Sequence, residues 1–294
     1  DLWNEKMGRY VRRGSKGIAL VDDSGDRPRL RYVFDISDTG TREHSRTPWL
    51  WQLEERHLDS VQAMLERVGC PYQGSGPAGS FLALNKSAAK QIFRHAGLPT
   101  ANWEFLPCAP KAGWQPSLPY PLFVKSNTGG SSLRMGRAAN QAELDAVLQG
   151  IFDAGDEVII EPVLAGREVT CGILGETALP PILIEPVAGD FFDYESKYAK
   201  DGAREICPAP ISPALTARVQ ELALEAHKAL GLRGYSRADF ILGADDSLTI
   251  LEVNTLPGMT ATSLVPREAR TVGMDFGQLL EKLIELGLAD HHRN

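Results

Sequence analysis

Arg237-Ala238-Asp239-Phe240-Ile241-Leu242, then Gly243-Ala244-Asp245-Asp246-Ser247, then Leu248-Thr249-Ile250-Leu251-Glu252-Val253-Asn254-Thr255-Leu256-Pro257-Gly258 is the stretch whose reading decides the fold. Its outer runs are rich in β-branched and aromatic residues and its middle is turn chemistry, so a β-hairpin is predicted. Folded about that turn without a bulge, Asp239 is expected to face Glu252 and Arg237 to face Asn254. Two carboxylates opposed on one sheet face have β-carbons about 4.5 to 5.5 Å apart and repel unless something neutralises them. A divalent cation would do so, and Asp, Glu and Asn offer the hard oxygen ligands that Mg²⁺ takes beside substrate phosphates. In another register the same residues make a solvated acidic hairpin, and the hairpin alone does not choose between the two.

Working outward, Ser212 and Pro213 supply an N-cap and a first-turn proline for a helix running through Leu215, Val219, Leu222, Ala226 and Leu230 to Gly231. That helix is expected to back the hairpin's sheet. Beyond the hairpin, Asp275 caps a closing helix whose Phe276, Leu279, Leu280, Leu283 and Ile284 are predicted as core. Upstream, Glu157 to Leu164 reads as a buried strand entering a connection, with a second strand from Gly166 through Thr170. Leu122-Phe123-Val124-Lys125 reads as a strand that leads into Ser126-Asn127-Thr128-Gly129-Gly130-Ser131-Ser132. This loop lacks the G-x-x-x-x-G-K spacing of a Walker motif. Its small residues still let backbone N–H groups approach phosphate oxygens beside the charge of Lys125, although they also make ordinary turns.

Ala89, Ile92, Phe93 and Ala96 form the apolar stripe of a helix that begins near Lys86 and is stopped by Gly97 and Pro99. Leu58, Val61, Leu65 and Val68 mark an amphipathic helix over 54–68. Phe191 to Tyr198 mixes aromatic and charged residues, as a closing lid or an exposed loop does.

The 294 residues carry 31 basic and 38 acidic side chains, a net charge of −7, which excludes a global nucleic-acid-binding field. Residues 1–20 are locally basic through Lys6, Arg9, Arg12, Arg13 and Lys16, which reads first as a solvated face; nucleic acid is not expected as a partner, and this is the one stretch that could touch phosphates. Cys70, Cys108, Cys171 and Cys207 are too scattered for a zinc site or disulfide framework. No apolar run reaches 18 residues and no signal peptide is visible, so a cytoplasmic setting without membrane contact is expected. Because the chain starts at Asp1 rather than Met, further residues before it are expected.

Arg-Ala-Asp-Phe at 237–240, Glu-Val-Asn-Thr-Leu-Pro-Gly-Met-Thr at 252–260, and Ser263-Leu264 together resemble the ATP-grasp signature of D-alanine:D-alanine ligases. The stretches 69–76 and 84–90 and the loop at 126–132 resemble the same family in the same order, so the likeness spans about residues 69–290. It implies an α+β fold of the ATP-grasp type, two α+β lobes clamping ATP, preceded by an atypical N-terminal segment. The expected divisions are 1–68, 69–160 and 161–294.

The implied reaction joins two D-alanines through an acyl phosphate for peptidoglycan synthesis. By position, the resemblance gives Mg²⁺ or Mn²⁺ to Asp239, Glu252 and Asn254, and the ATP phosphates to Lys86 and Lys125. It gives adenine to Glu161 and Leu164, and the ribose to Glu168. Arg237 falls to the reacting oxyanion, with Ser131, Lys197 and Tyr198 around it, and Gly258, Ser263 and Leu264 bordering the substrate pocket. A homodimer is a further expectation.

Two features depart from the family pattern. Arg134 stands where a small residue follows Ser-Ser-Leu. The acid that the family's first domain offers to the D-alanine ammonium has no recognisable counterpart, Leu53-Glu54-Glu55-Arg56-His57-Leu58-Asp59 standing in place of the usual text. Residues 9–20 and 32–39 instead resemble a segment of mobile-element DNA-processing proteins. Two alternatives therefore stand beside dipeptide synthesis: a ligase of another acceptor such as D-lactate, and a fusion that retains nucleotide binding without ligation.

Overall fold

The computed structural model describes residues 9–11, 18–22, 29–33, 39–41, 55–130, 134–186 and 203–291. The chain divides into two compact units, Asp1–Glu54 and Glu55–Asn294. In the first, β1 (Arg9–Val11) pairs with β4 (Thr39–Thr41) and β2 (Ile18–Asp22) with β3 (Arg29–Val33), both antiparallel.

The second unit opens with α1 (Glu55–Arg67), α2 (Pro77–Leu84) and α3 (Lys86–His95). Helix α1 is fastened by Gln62, whose Nε2 donates to Ser75 O at 2.8 Å and Ser80 Oγ at 3.2 Å. A four-stranded antiparallel sheet follows, built from β5 (Glu104–Leu106), β6 (Leu122–Ser126), β7 (Met135–Ala138) and β8 (Val158–Pro162) in the order β5-β8-β6-β7. Helix α4 (Gln141–Asp153) covers one face, where Leu144, Leu148 and Ile151 meet Leu122, Val124, Val158 and Ile160. Strand alternation therefore turns Phe123, Lys125, Ile159 and Glu161 to the other face.

The larger sheet contains β9 (Arg167–Leu174), β10 (Thr177–Ala178), β11 (Ile182–Pro186), β12 (Ala203–Ile206), β13 (Tyr235–Leu242) and β14 (Leu248–Asn254). Its order is β12-β11-β9-β13-β14, with β10 paired to β9. Helix α5 (Pro213–Ala229) is capped by Ser212, whose Oγ accepts from Leu215 N at 3.2 Å. Its Val219, Leu222, Ala223 and Ala226 share a core with Val169, Cys171, Ile173, Ala238, Phe240 and Leu242. Alternate residues of the same strands face the opposite side. There α6 (Leu264–Thr271) and α7 (Phe276–His291) pack Ala269, Leu279 and Leu283 against Leu174 and Tyr235.

Two expectations need correction. Leu279 and Leu283 are buried, but Leu280 and Ile284 are 38% and 59% exposed rather than core. Each lies one residue, about 100° around the helix, from a buried neighbour. The hairpin is also not free of bulges: its register shifts between Asp239 and Phe240, with Phe240 opposite Ile250 and Asp239 opposite Glu252. Leu251 is the extra residue. Without it the register set by the 243–247 turn would put Asp239 opposite Leu251 and send the two carboxylates to opposite faces, so the bulge creates the predicted pairing.

His227, buried in the last turn of α5, has its Nδ1 2.7 Å from Ser236 Oγ on β13. Burial, aided by Lys228, lowers its pKa from 6.5 to about 4. The folded state thus resists a proton that the unfolded chain accepts. This contribution to stability is complete above pH 6.5 and is lost as pH falls toward 4, reaching about 3 kcal/mol. His227→Gln should flatten that acid limb when urea midpoints are measured from pH 7 to 4. An unchanged pH dependence would remove His227 as its cause.

Candidate active site

One face of β13 carries Tyr235, Arg237, Asp239 and Ile241, opposite Leu174, Gly172, Thr170 and Glu168 of β9. On its other side, Arg237 faces Asn254 and Asp239 faces Glu252 of β14. The predicted metal and oxyanion residues therefore meet on one surface. Asp239 is 4% exposed and accepts from Arg237 Nε (2.8 Å, Oδ1), Arg237 Nη2 (2.8 Å, Oδ2), Thr170 Oγ1 (2.6 Å, Oδ1) and Asn254 Nδ2 (2.9 Å, Oδ2). The two-pronged arginine contact fixes the carboxylate's plane. Burial alone would lower the Arg237 pKa, but the attraction of Asp239, with Glu252 and Glu268 beyond, outweighs it and drives the net shift upward.

Glu252 is more open, and its Oε2 lies 3.7 Å from Lys86 Nζ. Among the described residues no group of three or more His, Cys, Asp or Glu could hold a metal. The set here is smaller: two opposed carboxylates with an amide beside them. It fits Mg²⁺, which takes one or two carboxylates and completes its shell with water and substrate phosphates.

The first turn of α3 brings the other cations in. Asn85 Oδ1 caps the helix by accepting from Ala88 N at 3.0 Å, and Lys86 follows directly. Lys86 Nζ donates to Gly129 O at 2.5 Å, joining the helix to the glycine-rich loop. Asn127, fully buried at the start of that loop, accepts from Lys86 N (2.9 Å, O) and Ser87 N (2.9 Å, Oδ1), while its Nδ2 donates to Asn85 Oδ1 at 3.1 Å and Glu157 Oε2 at 2.9 Å. Loop and helix terminus are thus one hydrogen-bonded unit.

Lys125 and Glu161 share the free face of the four-stranded sheet on neighbouring strands, Glu161 facing Phe123. Glu161 is 3% exposed between two ammonium groups, with Lys125 Nζ 2.8 Å from Oε2 and Lys90 Nζ 2.6 Å from Oε1. Burial would raise the Glu161 pKa, but Lys125 and Lys90 together bring it below the usual carboxylate range. At Lys125, burial is outweighed by Glu161, Glu252 and Glu168, and the net shift is upward. Lys90 goes the other way, because its burial outweighs the attraction of Glu161.

The loop after β14 carries Gly258 and ends at Ser263, the N-cap residue of α6. Ser263 Oγ accepts from Thr260 N at 3.1 Å and lies 2.8 Å from Thr260 Oγ1, so it shapes the loop rather than capping the helix. Leu264 opens α6, and Leu164 lies between β8 and β9. Ser131, Lys197 and Tyr198 lie outside the described residues, as do Glu54 and the side chains of Glu55 and Asp59. Arg134 turns to Asp156, with Nη1 2.7 Å from Oδ2.

Sequence reading missed three residues of this surface: Lys90, Asn127 and Glu268. Glu268, on α6, is fully buried and accepts from Gly172 N at 3.0 Å through each carboxyl oxygen. It enters beside β9 where Gly172 has no side chain, and a Cβ at 172 would collide with it. Burial pushes its pKa well up, against the Gly172 N–H and Arg237 and with the help of Asp239. A buried acid thereby fastens the helix that carries Ser263 and Leu264 to the strand beside Arg237.

Residues 92–285 match the family model described as D-ala D-ala ligase C-terminus. The chain is 81% identical over 230 residues to a D-alanine–D-alanine ligase of Desulfovibrio desulfuricans, covering 78% of this chain and 75% of that protein. A second, from Oleidesulfovibrio alaskensis, is 60% identical over 231 residues, with 79% and 75% covered. Among solved structures, the D-alanine–D-alanine ligase of Bacillus anthracis complexed with ATP superposes with a TM-score of 0.70 at 33% identity, over 80% of this chain and 76% of that one. The VanG D-Ala:D-Ser ligase of Enterococcus faecalis gives 0.68 at 31% identity, over 78% and 68%. The likeness of residues 9–39 to mobile-element proteins is not borne out. The sheet pair, the hairpin and these matches agree: the chain belongs to the D-alanine–D-alanine ligase family, with its α+β ATP-grasp fold.

Proposed function

We propose the following roles for the residues of this ATP-dependent ligase, which joins two D-alanines into D-alanyl-D-alanine for peptidoglycan synthesis. A carboxylate oxygen of the first D-alanine attacks the γ-phosphorus and ADP leaves. The amine of the second D-alanine then attacks the acyl phosphate carbonyl, loses a proton, and inorganic phosphate departs. Phosphoryl transfer needs positioning and charge neutralisation more than covalent help from the protein. Asp239, Glu252 and Asn254 would hold Mg²⁺ or Mn²⁺, which when bound offsets charge on the phosphate oxygens. Lys86 and Lys125 neutralise the phosphates from the protein side. Arg237 uses Nε and Nη2 on Asp239, leaving Nη1 to donate to the oxyanion of the tetrahedral intermediate. Glu161, Leu164 and Glu168 hold the nucleoside, and Gly258, Ser263 and Leu264 border the acceptor pocket, with Ser131, Lys197 and Tyr198 at the reacting groups.

The observation that carries this reading is the position of Lys86, 3.7 Å from the metal-site acid Glu252 and hydrogen-bonded to Gly129 of the glycine-rich loop. One cation spans the places expected for the metal and for the phosphates. The test is phosphate release from Mg-ATP with and without D-alanine, with D-serine and D-lactate as competing acceptors and the products identified. Release that depends on D-alanine and yields an equal amount of D-alanyl-D-alanine is expected. Release without dipeptide would contradict ligation, and a mixed product with D-serine or D-lactate would reassign the acceptor.

A cytoplasmic setting and a homodimer belong to the same proposal. Four free cysteines and dependence on ATP support the first. Among the described residues no helix is long and apolar enough to cross a membrane. The exposed Leu280, Ile284 and Leu288 on α7 support the second, and sedimentation would test it.

A further inference from the structure

Helix α3 carries a second buried lysine one turn beyond Lys86. Lys90 is 1% exposed, and its Nζ lies 2.6 Å from Glu161 Oε1, 2.7 Å from Thr100 Oγ1 and 3.4 Å from Ala101 O. Lys125 holds the other oxygen of the same carboxylate at 2.8 Å. Thr100 Oγ1 also donates to Ile250 O at 3.3 Å, and Ile250 N donates to Pro99 O at 2.8 Å, so the Lys90 contact continues into β14 two residues before Glu252. Lysines 86 and 90, four apart on one helix face, thus serve the two sheets: Lys86 reaches Glu252 of the larger sheet and Lys90 reaches Glu161 of the smaller.

The two cations on Glu161 are not equivalent. Lys125 is 13% exposed in its side chain, against 1% for Lys90, and is the one that can turn to a ligand. If Lys125 engages ATP, its hold on Glu161 weakens, and a buried carboxylate without a cation is strongly disfavoured. Lys90, enclosed by Thr100, Ala101 and Glu161, stays in place.

We propose that Lys90 is a positioning residue of the nucleotide site, keeping Glu161 ionised and oriented while Lys125 is shared with ATP, and tying that carboxylate through Thr100 to the strand of the metal-site acid. The proposal rests on the assignment of Lys125 and Glu161 to the nucleotide. An ordinary core lysine would matter for folding alone. A positioning lysine must show its effect in ATP binding, and only while Glu161 carries its charge.

The experiment is a double-mutant cycle on the full chain, read by calorimetry with Mg-ATP and by initial rates. Lys90→Met should raise the ATP Kd about tenfold or more, equivalent to about 1.4 kcal/mol. The KM for D-alanine, and kcat at saturating ATP, should stay within about twofold, because transition-state contacts are untouched. In a Glu161→Gln background the same substitution should change the Kd by less than about threefold, since the charge it serves is gone. Lys90→Arg should restore part of the affinity. Should Lys90→Met not fold, Lys90→Gln, which keeps a donor for Thr100, takes its place. An unchanged ATP Kd would overturn the proposal. So would an equal loss with and without the Glu161 carboxylate, or a fall in kcat with the KM for ATP unmoved. Lys125→Met with full ATP affinity would instead overturn the nucleotide assignment beneath it.

Discussion

Glu252→Gln should reduce ligation by at least about a hundredfold while the folded structure and much of the ATP affinity survive. The carboxylate stands opposite Asp239 on the hairpin, and the amide keeps its shape but removes one of the two charges offered to the metal. Charge stabilisation by a catalytic metal is worth several kcal/mol, and about 1.4 kcal/mol corresponds to a tenfold rate change. Glu252 is a third exposed and lies at 3.7 Å from Lys86, which is buried but keeps its hydrogen bond to Gly129 O, so the melting temperature should move little. Steady-state rates, ATP calorimetry and thermal melting on one preparation check this. Wild-type turnover would remove Glu252 from the mechanism.

Arg237→Ala should cost more, because one side chain has two tasks. Losing its donor to the oxyanion lowers the rate by about a hundredfold or more. Its fork on Asp239 also balances a carboxylate that is 4% exposed, and breaking a buried pair from one side typically destabilises by about 3–5 kcal/mol. Ligation and melting temperature should therefore fall together. Arg237→Lys restores the charge without the planar fork, so it should recover stability better than rate. Ligation at the wild-type rate in a destabilised Arg237→Ala protein would confine Arg237 to a structural role.

The sequence displays some of this architecture openly and hides the rest for physical reasons. Helices α5 and α7 announce themselves through local caps at Ser212-Pro213 and Asp275, each of which makes its predicted hydrogen bond, and α3 through its apolar stripe. Helix α4 carries an equally local signal, Asn140 accepting from Glu143 N at 3.1 Å while Glu143 Oε2 accepts from Ala139 N at 2.8 Å. The opposition of Asp239 and Glu252 is expected from a hairpin without a bulge but is reached through the Leu251 bulge, which the sequence does not display because a bulge is a property of the folded ladder. Lys90, Asn127 and Glu268 have no local signature. Their partners lie 71, 42 and 96 residues away, at Glu161, Asn85 and Gly172, and only the packed sheets bring them together. Lys90 in particular sits beside the stripe of Ala89 and Phe93, where a lysine reads as solvent-facing until a buried carboxylate is found against it.

In the proposed function, the bulged hairpin holds the divalent cation of the ATP site. Its most direct test is the anomalous difference density of crystals grown with Mn²⁺ and a non-hydrolysable ATP analogue. A manganese peak is expected between Asp239, Glu252 and Asn254, at bonding distances of about 2.0–2.3 Å from their oxygens, with the analogue's phosphates on its far side toward Lys86 and Lys125. Clear density for the analogue with manganese absent from that position, or bound elsewhere, would contradict it.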